Sequence, residues 1–344
     1  MAIPQTMKAV YLVEPLKLEL REVPVPEPEP GEVLVAIRAC GICGSDIHFY
    51  EKGRIGDFVV RAPLVLGHEA AGDVVGLGPG VRTLAVGDRV AVEPGIPCRR
   101  CEHCLGGRYN LCQDVVFLSA PPYDGLFREY VTVPEDFAFT LPDGVTTEMG
   151  ATVEPLAVAC HAVGLVGVRP GESVAVLGAG PIGLLAAACA SAAGAGEVIS
   201  TDRIPGRLDA AARFGATRVV NAADDDVSQV LKDAVDVVLD CVAVEETLWQ
   251  AFEIIRPGGR VAWVGMAADE ARLPFQLFQV KEAMVTGVFR YANRFGTAVR
   301  LLASGKVDTR PLITHRFRFP AVAEAVQFAA ANRQSTLKTM VNFD

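Results

Sequence analysis

An excess of basic charge is missing from this chain of 344 residues: 32 Lys and Arg stand against 41 Asp and Glu, a net charge of −9. A nucleic-acid binder presents a basic surface, so that class is excluded. The opening stretch MAIPQTMKAV has neither the charged start nor the apolar core of a signal peptide. A cytoplasmic compartment is therefore expected, and the nine cysteines read as thiols or metal ligands rather than disulfides. Repeats, low-complexity tracts and charged tails are absent. With 51% hydrophobic and 21% charged residues the chain is globular, and its length suffices for two domains. Charge is also missing locally, since Ser173 to Gly196 carries none across 24 residues, long enough to span a bilayer. Five glycines and a proline interrupt that run, so strand, turn and helix explain it better than a membrane span.

That stretch holds the strongest local signal. An apolar run, Val174 to Leu177, has the length of a buried strand. The sequence Gly178-Ala179-Gly180-Pro181-Ile182-Gly183 follows, a G-x-G-x-x-G, and then a run of Leu and Ala that reads as a helix. A second strand, Val198 to Thr201, ends at Asp202, 19 residues after Gly183. In such a unit the first glycine makes the tight turn, the second lets backbone approach a pyrophosphate, and the third lets helix pack close to strand. Pro181 falls in the first helical turn, where a missing N–H costs nothing. The free N–H groups of that turn attract phosphate, and Asp202 is placed for a ribose diol. The expectation is a dinucleotide site that prefers NAD, with Arg203 and Arg207 just beyond the acid.

Two textures divide the chain. Residues 7 to 40 read as strands at Lys8–Leu12, Leu16–Glu22 and Val33–Ala39, and the segment Val65 to Val92 is full of valine and glycine. Phe127–Val133 and Ala138–Leu141 add strands to this bent β-domain. From about Glu148 onward, helical runs alternate with short strands at Val174–Leu177, Val198–Thr201, Val219–Asn221, Val235–Leu239, Val261–Val264 and Val285–Phe289. Six strands with crossover helices predict a doubly wound parallel sheet in an α/β protein. Helical stretches at Asn293–Ala303 and Pro320–Ala331 and a strand at Leu337–Phe343 follow, the strand expected at an edge of the first domain. The expected boundaries are 1–155 and 290–344 for the β-rich domain, with 156–289 inserted.

Cys98, Cys101, Cys104 and Cys112 are spaced C-x2-C-x2-C-x7-C. Four thiolates in so short and polar a lobe, about residues 95–113, fit one closed tetrahedral zinc, with an iron–sulfur cluster as the competing reading. A closed site leaves no room for substrate, so this metal is structural. Cys43, His68, Glu69 and Glu154 lie farther apart. Cys, His and a carboxylate with a fourth position open are the donors of a catalytic zinc. Taken singly, each also has a bland reading: a buried thiol, a turn imidazole, a buried acid that needs a partner.

Taken together, these motifs resemble the zinc-dependent medium-chain dehydrogenases, in particular the sorbitol (polyol, xylitol) dehydrogenase group. The resemblance rests on Cys43-Gly44-Ser45-Asp46-Ile47-His48, Gly53-Arg54-Ile55-Gly56, Leu66-Gly67-His68-Glu69-Ala70-Ala71-Gly72, the four-cysteine lobe, Glu154-Pro155-Leu156, the glycine-rich turn and Gly287-Val288-Phe289-Arg290-Tyr291. It covers essentially the whole chain. It implies a GroES-like catalytic domain and a Rossmann domain with a cleft between them, NAD, a catalytic zinc beside the structural one, and a homo-oligomer, tetrameric in the family. Cys43 and His68 then match zinc ligands. Glu69 matches the carboxylate ligand of polyol dehydrogenases, and Glu154 either takes the metal or holds its water; which of the two is a direct ligand stays open. Ser45 and His48 match a proton relay. Tyr50, Phe117, Arg290 and Tyr291 match a polyol pocket, with core packing the other reading of Phe117. Ile182, Val264 and Phe289 join the cofactor set. A complete cysteine lobe departs from many animal sorbitol dehydrogenases and follows a microbial pattern.

The implied reaction is the reversible oxidation of a secondary hydroxyl of a sorbitol- or xylitol-like polyol to a ketose. Alternatives are a zinc dehydrogenase of threonine or a simple alcohol, against which Arg290-Tyr291 speaks, and a non-catalytic nucleotide-binding relative, against which the full ligand set speaks.

Overall fold

A computed structural model describes residues 3–266 and 270–343. The chain forms two compact units, one of residues 1–154 and 312–344, the other of residues 155–311.

The first unit is built on the strand Glu32–Gly41, whose run VLVAI is buried throughout. Such a strand reads as continuously apolar because sheet or helix covers both of its faces. It pairs antiparallel with Glu69–Leu77, Lys338–Asn342 and Tyr130–Pro134. Register shifts at Leu34/Val35 and Ile37/Ala39 bend it. The sheet continues through Arg89–Val92 to Ala138–Thr140 on one side and to Ile313–Arg318 on the other. Lys338–Asn342 is therefore internal and not the edge expected from sequence, because Ile313–Arg318 adds to it in parallel. That outer strand, ITHRFR, alternates covered and exposed positions, buried at Ile313 and half-buried at His315 and Phe317, and its charged residues hide it from a hydrophobic reading. Helix α1 (Gly44–Lys52), the short α2 (Glu102–Leu105) in the cysteine lobe, α3 (Thr147–Ala151) and a late helix, Val322–Ala331, also belong to this unit, and the late helix packs Val322, Ala325 and Val326 into its core. Its core is apolar, around Val35, Ile37, Leu66, Leu126, Phe127 and Val341.

Helix α4 (Val153–Val166) leads into the second unit. There, six parallel strands stand in the order Arg218–Asn221, Glu197–Asp202, Ser173–Leu177, Val235–Asp240, Ile255–Trp263 and Met284–Gly287. The order reverses between Ser173–Leu177 and Val235–Asp240, and ligands of such sheets bind beyond the carboxyl ends of the strands at that point. Ser173–Leu177 is buried at every residue. It runs straight into α5 (Pro181–Ala192). The fifth strand starts earlier than its valines suggest and stops before Val264, and the sixth stops before Phe289. Residues 290–311, including the helix Phe295–Ala303, fold with this unit rather than with the first. Among the described residues no helix is long and apolar enough to cross a membrane.

Candidate active site

Register explains how distant residues meet. Gly41 pairs with Glu69. Cys43 lies two residues beyond one strand and His68 just before the other, and the donor atoms of Cys43, His68 and Glu69 fall within 4.8 Å of one another. Cys43 also caps α1, and its N–H donates to Asp46 Oδ2 at 2.9 Å.

Asp46 has no exposed surface at all. Its Oδ1 accepts from Gly67 N at 2.9 Å and Ser119 Oγ at 3.3 Å, and lies 3.6 Å from His68 Nδ1. Burial opposes its charge, but His68 and the N–H groups of Cys43 and Gly67 hold its pKa below the ordinary carboxylate range. Burial likewise opposes the His68 imidazolium, yet Asp46 and Cys43 raise that pKa well above the usual value. A metal held here by His68 would require the neutral imidazole and so would compete with that proton.

Glu69 is 1% exposed. Lys338 Nζ donates to its Oε1 at 2.7 Å and to Ile42 O at 3.1 Å. Nζ also lies 2.7 Å from Oε2, so the ammonium holds both oxygens of the carboxylate. Burial alone would lower the Lys338 pKa; Glu69 first, then Cys43 and Glu154, raise it instead. A half-buried thiol, a buried imidazole and a buried carboxylate, their donor atoms within 4.8 Å of one another, fit a three-ligand zinc site. Glu154, also buried, stands outside this trio in the first turn of α4.

Ser45 and His48 lie one turn apart on α1, both half-buried. Burial lowers the His48 pKa, and Lys52 and Arg333 lower it further against Glu51. The Phe117 ring lies 5.7 Å from that of His68, so it borders the trio. Tyr50, expected at the pocket, is buried in the apolar core.

In the lobe, the sulfurs of Cys98, Cys101, Cys104 and Cys112 lie within 4.8 Å of one another, and no cysteine is in a disulfide. Cys98 Sγ is 3.9 Å from Cys104 Sγ, which is 3.3 Å from Cys101 Sγ. Four sulfurs at zinc–thiolate distance around one ion stand ~3.8 Å apart, so the lobe fits that metal. Backbone N–H groups of Arg100 and Cys101 pull the Cys98 pKa down to about 6. Arg99 ties the lobe down with two 2.7 Å bonds to Asp136.

In the second unit, Gly178 has a positive φ of 91°, and a side chain on Gly183 would strike Gly178 O at 1.8 Å. Gly180 instead faces open space, with Arg207 Nη1 3.8 Å from where a side chain would start. Asp202 accepts from Ala179 N at 2.8 Å and Ile204 N at 2.9 Å. Arg207 lies 3.6 Å from its Oδ2, whereas Arg203 pairs with Glu246 at 2.5 Å. Half-buried Val264 donates its N–H to Asp240 O. Arg290, at a positive φ of 53°, stacks its guanidinium over the exposed Phe289 ring at 4.7 Å, and Tyr291 is buried against Phe295.

Sequence reasoning gave no role to Asp46, Ser119 or Lys338. Asp46 sits inside the Cys43–His48 motif, where its position three residues after a helix cap was the available signal.

Residues 29–143 match the alcohol dehydrogenase GroES-like domain, and residues 181–304 match the zinc-binding dehydrogenase family. The chain is 41% identical to a sorbitol dehydrogenase of Bacillus subtilis over 98% of both proteins. It is also 41% identical to a D-xylulose reductase of Saccharomyces cerevisiae, again over 98% of both. An alcohol dehydrogenase of Escherichia coli CFT073, solved with NADH, superposes with a TM-score of 0.92 at 29% identity, covering 99% of this chain and 100% of that one.

Proposed function

We infer that this chain, which belongs to the zinc-binding medium-chain dehydrogenases and their sorbitol and xylitol dehydrogenase group, reversibly oxidises a secondary hydroxyl of a sugar alcohol to a ketose with NAD. The observation that carries this reading is the meeting of half-buried Cys43 with buried His68 and Glu69, their donor atoms within 4.8 Å of one another.

The trio would hold a catalytic zinc, with Glu69 as its carboxylate ligand, and Cys98, Cys101, Cys104 and Cys112 a structural one. When bound, the catalytic ion supplies Lewis-acid activation of the substrate hydroxyl. Asp46 orients His68 for that duty, and Lys338 fixes the Glu69 carboxylate. Ser45 takes the hydroxyl proton toward His48, which its surroundings keep neutral and able to accept it. Phe117 shields the trio from water. The turn at Gly178–Gly183 and Asp202, with Val264 and Phe289, position the nicotinamide cofactor. Arg290 offers a fork of donors suited to the further hydroxyls of a polyol, which a simple alcohol lacks. The working form is a homo-oligomer.

The test is a panel of polyols with NAD, read by NADH absorbance, beside metal analysis. Sorbitol or xylitol turns over and zinc is found at both sites. Cys43→Ser keeps the fold and the lobe zinc but loses turnover. Full activity without zinc, or an active Cys43→Ser, overturns this reading.

A further inference from the structure

Outside the lobe and the trio, the structure brings two more thiols together. Cys160 lies midway along α4 and Cys189 near the end of α5, and their Sγ atoms are 3.5 Å apart. Both are buried, at 8% and 4% exposure. Nothing in their spacing of 29 residues announces the pair.

A cation stands beside them. The Arg294 guanidinium presses on α4 one turn beyond Cys160, so that a side chain at Gly164 would meet Arg294 Nη2 at 2.5 Å. Its Nε is buried without a hydrogen-bond acceptor. Either sulfur can donate to the other; the contact with Cys189 lowers the Cys160 pKa, burial opposes this, and the charge of Arg294 lowers it further. The Cys189 pKa moves the other way, raised by its bond to Cys160 and by burial. The guanidinium against α4 favours negative charge on Cys160, the less buried of the two sulfurs, and so marks it as the attacking one.

We propose that Cys160 and Cys189 are a reversible redox site, at which a hydroperoxide oxidises Cys160 and Cys189 then closes a disulfide between α4 and α5. In the first step the Cys160 thiolate attacks a peroxide oxygen. An S–O bond forms, the O–O bond breaks, hydroxide leaves and Cys160 becomes a sulfenic acid. In the second step Cys189 attacks that sulfur, so that an S–S bond forms, the S–O bond breaks and water leaves with the Cys189 proton. Two thiols have then given two electrons, and hydrogen peroxide has become two waters.

The bond requires the sulfurs to close from 3.5 Å to about 2.05 Å. A displacement of about 1.5 Å, shared between two rigid helices, reaches the other end of α5, where Gly180 and Pro181 open the helix. Hydrogen bonds there tolerate only a few tenths of an ångström. Oxidation therefore weakens cofactor binding, a consequence that rests on the dinucleotide reading of that turn.

The experiment uses the zinc-replete full chain. NADH affinity of the reduced protein is measured first by fluorescence; failure to bind counts against the cofactor reading and leaves the thiol pair standing. The protein is then treated with hydrogen peroxide, alkylated in denaturant and peptide-mapped. The expected result is a Cys160–Cys189 linked peptide that dithiothreitol releases, and an NADH affinity several-fold weaker that recovers with it. Cys189→Ala, in a helix already rich in alanine, forms no link and keeps its NADH affinity under peroxide. Absence of the linked peptide overturns the redox site. A link with unchanged affinity, or an equal loss in Cys189→Ala, overturns the coupling to cofactor.

Discussion

Single residues here act through what burial does to their charge. Glu93 follows the strand Arg89–Val92, is 1% exposed and accepts from Tyr109 Oη at 2.6 Å. Burial first, then Glu154 and Asp136, push its pKa from 4.5 up to about 8 against the pull of Tyr109. The folded state therefore holds a proton that the unfolded chain releases between those two values, and this contribution to stability is lost as pH rises through about 8. The loss is on the order of a few kcal/mol. Glu93→Gln keeps an acceptor for Tyr109 and has nothing to titrate. Its melting temperature, measured against that of the wild type from roughly pH 5 to pH 9, should gain on the wild type as pH rises. Parallel curves would show that Glu93 is ionised in the fold. The same dependence on burial explains what sequence could and could not disclose. Cys43, His68 and Glu69 each read as an ordinary residue taken singly, and were grouped through the motifs that carry the family resemblance; the structure brings their donor atoms together. Asp46 and Lys338 were given no role, because an acid in a helix turn and a lysine in a late strand read as solvated. Only the pairing of Lys338–Asn342 with Ala39–Gly41 brings that lysine to Glu69.

Elements that begin and end at chemically constrained residues were the most legible. The strand, turn and helix from Ser173 to Ala192 stand where the glycine spacing put them, and Asp202 ends the next strand. Its carboxylate, however, also receives two backbone N–H groups, a structural duty the motif does not announce. A substitution that tests cofactor choice must keep an acceptor there, so Asp202→Asn is preferable to alanine. Removing the charge relieves repulsion of a 2′-phosphate and frees Arg207, 3.6 Å away. The ratio of kcat/KM with NADP to that with NAD should rise about tenfold, about 1.4 kcal/mol. An unmoved ratio, or a wild type that already prefers NADP, would remove Asp202 from that role. The cysteine lobe makes a parallel case. Its helix α2 has four residues and buries none of them, so apolar packing does not hold it. A closed metal site contributes folding energy outright. Cys98→Ser, or exposure to a strong chelator, should lower the melting temperature and release zinc, while NADH binding by the second unit persists. Unchanged stability with the lobe emptied would show that Arg99 and its partner Asp136 suffice to anchor it. Strand ends were less legible, because Val264 and Phe289 continue apolar runs beyond the last ladder bond.

At the scale of the molecule, the two units divide after residue 154, close to the change in texture near Glu148, and the chain returns to the first unit at residue 312, later than residue 290. The helix Phe295–Ala303 buries Phe295, Ala298, Val299 and Leu302, an apolar stripe that fits either unit equally well on periodicity. Which unit takes such a helix is decided by tertiary packing. One feature of the second unit bears on assembly. Met284–Gly287 is the last strand of the six and, among the described residues, is paired on one side only, with Met284 62% exposed. Phe275 and Val280, on the helix just before it, are 74% and 68% exposed. A monomeric protein protects such an edge with charge, proline or a bulge, because unpaired N–H and C=O groups recruit another strand. Here the strand is MVTG, with none of these. Exposed apolar side chains beside an open edge fit the homo-oligomer proposed above, with a second copy of the same edge as partner, since closed symmetric pairs are the commonest assembly. Met284→Lys and Val280→Asp place charge on that surface without touching the buried valines of the sheet. Light scattering should then show the wild type as an oligomer and the double variant shifted toward the monomer, with NADH binding retained as the control for folding. An assembly unchanged by both charges would place the contact between copies elsewhere, and a wild type that is already monomeric would withdraw the oligomer altogether.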